Sequence, residues 1–106
     1  MEEKNRILKQ ILKEELERLN RIEAVYEDEI KSLQKGSIVY KTIKGKEYAY
    51  LQYRNGKKIV SKYIKNEEEI DKINKTIEKR KTTQIGLKRV VEEKQQLLKA
   101  IKSLEK

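Results

Sequence analysis

The stretch "KGKEYAYLQYRNGKKIVSKYI", residues 44–64, alternates its side chains with the period of two that a β-strand imposes, and two glycines punctuate it. It holds four of the chain's six tyrosines and six basic residues against one acid, Glu47. Asn55-Gly56 is the strongest short hairpin signal, because both central residues of a type I′ turn need positive φ. Lys44-Gly45-Lys46 supplies an earlier turn. The expected strands run over about 38–43, 47–53 and 58–64. With Arg54 opposite Lys57, the register sets Leu51 across from Val60 and Tyr48 across from Tyr63.

Alternation then sorts the meander into two faces. One carries Val39, Lys41, Ile43, Tyr48, Tyr50, Gln52, Ile59, Ser61 and Tyr63; the other carries Ile38, Tyr40, Thr42, Ala49, Leu51, Tyr53, Lys58, Val60, Lys62 and Ile64. A solvated meander needs only one apolar face, yet here both are substantially apolar or aromatic. Small Ala49 beside Leu51 and Val60 suits the second face to receive a helix end. The tyrosine face is left over, and a flat ring with a polar tip fits a half-wet contact surface. The plainer expectation is that the two helices, or a second copy of the chain, cover both faces.

Outward from the meander, both flanks read as helices. From about residue 2 to 35, Leu8, Ile11, Leu12, Leu16, Leu19, Ile22, Tyr26, Ile30 and Leu33 recur every three or four positions without Pro or Gly. Gly36 suits a left-handed cap after Lys35. The second helix, about 67–105, opens at the N-cap Asn66, with Glu69 at the capping-box position. Ile70, Ile73, Ile77, Leu87, Val91, Leu98 and Ile101 form one heptad seam, interrupted by Arg80, Gln84 and Lys94. "EKRKTTQIG", residues 78–86, is expected to stay helical in spite of two threonines and a glycine, with a bend or break as the alternative.

The fold class is therefore α+β: two long helices as an antiparallel coiled coil, with a three-stranded antiparallel β-meander inserted between them. A chain of 106 residues with 36% apolar and 42% charged residues predicts a single elongated domain over 1–106. The N-terminus lacks the apolar run of a signal peptide and no segment approaches a membrane span, so a cytoplasmic protein without membrane partners is expected.

Charge is unevenly placed on this basic protein of formal net charge +9. Residues 1–35 carry eight Lys or Arg against nine Asp or Glu, whereas residues 36–66 carry eight against one. Clustered cations with interleaved aromatics are the footprint of a nucleic-acid surface: cations neutralise phosphates, and rings stack on bases. Edge-strand lysines that block sheet-to-sheet aggregation account for Lys58 and Lys62 but not for the missing acids. The candidate binding residues are Lys41, Lys44, Lys46, Tyr48, Tyr50, Arg54, Lys57, Lys58, Lys62 and Tyr63.

With no His and no Cys there is no imidazole base, thiolate or zinc site, and neither Gly45 nor Gly56 belongs to a phosphate-binding loop pattern. The expectation is no enzyme, no cofactor, no metal and no small-molecule substrate.

"GSIVYKTIKGKEYAYLQYRNGKKIVSKYI", residues 36–64, resembles a segment of small bacterial, archaeal and mobile-element proteins that set an aromatic strand, a Gly turn and a basic final strand beside coiled-coil helices. Tyr48, Tyr50, Tyr53, Arg54, Gly56, Lys57, Lys58 and Tyr63 carry the likeness. The segment is also similar in outline to the three-stranded sheets with which integrase arm-binding domains read DNA, although those domains pack one short helix on the sheet. The resemblance implies a phage or mobile-element protein. The leading expectation is a binding module that contacts DNA or RNA. The alternative is a protein-interaction module, such as an accessory inhibitor seated on an acidic surface of a host protein or nucleoprotein complex. Self-association as a dimer fits either.

Overall fold

A computed structural model describes residues 2–105, with the order α1 (Glu2–Ser32), β1 (Ser37–Ile43), β2 (Lys46–Asn55), β3 (Lys58–Ile64) and α2 (Glu67–Leu104). The expected α+β class and element order hold. The chain forms two compact units: residues 1–31 with 83–106, and residues 32–82. No helix among the described residues is long and apolar enough to cross a membrane.

In the first unit α1 runs antiparallel to the C-terminal part of α2. Lys9 reaches Glu105 at 3.7 Å and Lys94 reaches Glu23 at 3.0 Å. Lys94, which interrupts the apolar seam, is thus half-buried and neutralised across the pair. Leu19 is the most buried side chain of the unit, at 2% exposure, with Val90 and Ile101 also buried. Leu98 does not belong to this core, contrary to the heptad seam: it is 50% exposed, and Leu97 takes the inner place. The stripe of α2 turned to α1 runs through Val90, Leu97 and Ile101. α2 stays helical through residues 78–86. Gly86 has a packing reason to be there, since a Cβ at that position would lie 3.1 Å from the Tyr26 ring.

In the second unit the sheet has order β1-β2-β3, antiparallel throughout. Both turns are two-residue loops of different type. Lys44 and Gly45 have φ of +52° and +82°, the signs of a type I′ turn. In the second hairpin Gly56 is positive at +65° while Asn55 and Lys57 are not, which is the sign pattern of type II′ with glycine first. Asn55 therefore ends β2 opposite Lys58, and the register differs by two residues from the expected one: Leu51 faces Lys62, Tyr53 faces Val60, and Tyr50 faces Tyr63. An even displacement leaves every side chain on its expected face.

The covered face is the one with Ala49. Ala49, Leu51, Ile64 and Ile77 are buried together, with Ile38, Tyr53, Ile70 and Ile73 packed against them. Ile70, Ile73 and Ile77 present one stripe of the first turns of α2, as their three- and four-residue spacing requires. Asn66 sets this helix in place, its Oδ1 accepting from the Glu69 N–H at 2.9 Å.

α1 ends at Ser32, three residues before the expected Lys35, and Gly36 is not its cap. With φ of +107°, Gly36 lies against β2, where an added Cβ would fall 2.1 Å from the Gln52 carbonyl oxygen. The chain must already be extended at Ser37 to pair with Gln52, so residues 33–35 serve as connector.

Candidate nucleic-acid interface

The uncovered face of the sheet lies in the second unit. Along β2 it presents Lys46, Tyr48, Tyr50, Gln52 and Arg54 at alternate positions, about 27 Å from end to end at ~3.4 Å per residue. β1 adds Ser37, Val39, Lys41 and Ile43, and β3 adds Ile59, Ser61 and Tyr63. None of these residues is buried. Glu47, the single acid of residues 36–66, alternates onto the opposite face, so the strands give this surface no carboxylate.

The tyrosines form one cluster. Tyr63, directly across from Tyr50, has its ring centroid 5.6 Å from that ring and 6.0 Å from the Tyr48 ring, tilted by 54° and 59°. These are the inclined contacts that the ring quadrupole favours. The Lys41 ammonium lies 4.7 Å from the centre of the Tyr50 ring, a cation–π contact that occupies one face of it. Tyr48 and Tyr50 are half-buried, while Tyr63 is 53% exposed and offers the most accessible ring.

Of the residues expected to bind, Lys41, Lys46, Tyr48, Tyr50, Arg54 and Tyr63 are brought together on this face. Lys44 and Lys57 sit in the turns at opposite ends of β2, both exposed. Lys58 and Lys62 lie on the other face. The Lys62 ammonium is 5.7 Å from the centre of the Tyr53 ring, and Lys62 helps line a cavity of about 310 Å³ with Leu51, Tyr63, Ile64, Glu69, Lys72 and Ile73. Tyr63, on the edge strand, borders that cavity as well as the tyrosine cluster.

Ile59 belongs to the candidate surface and was absent from the residues expected to bind. It is 65% exposed, opposite Arg54 at the far end of β2 from Lys46. Strand alternation was signal enough to find it, because a branched apolar residue beside an arginine on an open face is a contact in waiting.

A family model described as "Domain of unknown function (DUF6788)" matches residues 6–75, about two thirds of the chain. The chain belongs to the DUF6788 family. The matched segment includes the whole sheet of this DUF6788 protein and the turns of α2 that carry Ile70 and Ile73. No curated protein and no solved structure matches it.

Proposed function

We propose that the protein is a non-enzymatic binding module that holds single-stranded nucleic acid on the open face of its sheet. The observation that carries this reading is the composition of that face: three clustered tyrosines between Lys41, Lys46 and Arg54, with no acid on that side of the strands. Ring faces stack on bases of any sequence and cations track the phosphates, a combination suited to single strands. Tyr63 provides the stacking ring, Lys41 and Arg54 bind backbone phosphate, and Lys44, Lys46 and Lys57 extend the positive field at the two ends.

The test is binding of a fluorescent single-stranded oligonucleotide, compared with the duplex of the same sequence. Lys41→Glu combined with Arg54→Glu abolishes binding while the fold persists. Lys58→Glu, on the covered face, weakens it less. Equal losses from the two changes would point to a general charge effect and against this surface.

A second reading rests on the exposure of Ile59 and Ile43 beside the tyrosines. Aromatic, apolar and Arg side chains together also make protein hot spots, and the partner would then be an acidic protein surface. In that case Ile59→Asp abolishes capture of the protein partner, and oligonucleotides do not compete.

A further inference from the structure

The C-terminal part of α2 carries apolar side chains on more than one stripe. Val90 and Ile101 are buried in the unit formed with α1. Leu87 and Val91 instead line a groove of about 630 Å³, together with Ile30 of α1, and Leu98, seven residues beyond Val91, is half-exposed. Gln84, Lys88, Glu92 and Gln95 complete the groove. A helix in a two-membered pair needs one apolar stripe. A second stripe along the same helix is the pattern of a helix with another neighbour, as in four-helix bundles.

The order of these residues identifies the neighbour. The groove reads nearly the same from either end, with Gln84 and Gln95 at the limits, Leu87 and Val91 inside, and Lys88 and Glu92 along one flank. A twofold axis crossing α2 at the level of Val90 sets Lys88 against the partner's Glu92 and Glu92 against the partner's Lys88. The same axis sets Leu87 and Val91 against the partner's Val91 and Leu87 to within two residues' rise, about 3 Å. Self-complementarity of this kind is what a twofold interface requires. Lys88 and Glu92 stand four residues apart, yet they form no ion pair with each other. Lys before Glu is the weaker order along a helix, which leaves both charges available to a partner.

We propose that this groove is the interface of an antiparallel homodimer in which α2 packs on α2 of a second copy. The second apolar stripe of α2 gains from the partner the burial that α1 does not supply. The experiment is sedimentation equilibrium on the parent, on Lys88→Glu, on Glu92→Lys and on the double variant, with helicity followed in each. The parent sediments at twice the 12.7 kDa chain mass. Each single change sets two like-charge pairs across the axis and raises the dimer dissociation constant at least ~10-fold, while the helices persist because both side chains are exposed. The double variant restores the parent's dimer affinity to within a few-fold. A monomeric parent overturns the proposal and leaves the groove to another partner. A dimer indifferent to the single changes, or a double variant as weak as the singles, overturns the pairing.

Discussion

The two faces of one sheet have opposite fates. Leu51 and Tyr50 are neighbours on β2, yet Leu51 is buried beneath the first turns of α2 while Tyr50 lies in an open cluster with a lysine over its ring. Apolar content does not distinguish the faces, since both carry branched aliphatic and aromatic residues. Side-chain shape does. Ala49, Leu51 and Ile64 leave a surface into which the Ile70, Ile73 and Ile77 stripe fits, whereas three tyrosines keep polar tips that burial under a helix would have to satisfy. The acid follows the same division: the open face has Lys41, Lys46 and Arg54 with no carboxylate from the strands, while the other carries Glu47 along with Lys58 and Lys62. One face holds the fold together, and the other is free to do something else.

The largest expected effect breaks the structural face. Leu51→Asp buries a charge among Ala49, Ile64 and Ile77 and costs ~3 kcal/mol or more, a large share of a small domain's stability, read as a collapse of the urea midpoint. Gly36→Ala comes next. Its Cβ would meet the Gln52 carbonyl oxygen, so β1 must part from β2, at a cost above ~2 kcal/mol by the same measurement. Tyr63→Ala sharpens the contrast. Stability changes by less than about 1 kcal/mol, because the ring is half-exposed, while single-strand affinity falls by roughly 1–3 kcal/mol for the base it stacks. The smallest effect is Gly56→Ala, about 1 kcal/mol from positive φ alone, since nothing lies within 4 Å of the added Cβ. If Gly56→Ala cost as much as Gly36→Ala, the close approach to β2 would not be what fixes Gly36.

Much of this division was legible in the sequence, for identifiable reasons. Period-two alternation placed Tyr48, Tyr50 and Tyr63 on one face and Ala49, Leu51 and Ile64 on the other, and a register differing by two residues could not disturb that. The register itself was not legible, because Asn-Gly suits a type I′ turn centred on both residues as well as a type II′ turn that begins at the glycine. Lys58 and Lys62 were counted among the binding residues for their charge, although alternation already set them on the Ala49 face, where the structure has them. Leu98 fitted a heptad count begun at Ile70, which packs under the sheet, whereas the stripe turned to α1 runs through Val90, Leu97 and Ile101. The role of Gly36 depends on the backbone of Gln52, sixteen residues away, which local signals do not report. Ring tilts and the Lys41 position depend on rotamers, and the sequence does not specify those.

The central claim, that the open face binds nucleic acid through phosphates and a stacked ring, is tested most directly by titrating a single-stranded oligonucleotide at a series of salt concentrations. The account predicts that the logarithm of the association constant falls linearly with the logarithm of salt. The slope should shrink by about 1 in Lys41→Gln and again in Arg54→Gln, and hold steady in Tyr63→Ala although affinity drops. Absence of salt-dependent binding by the parent, or a slope unchanged by either cation, would contradict it.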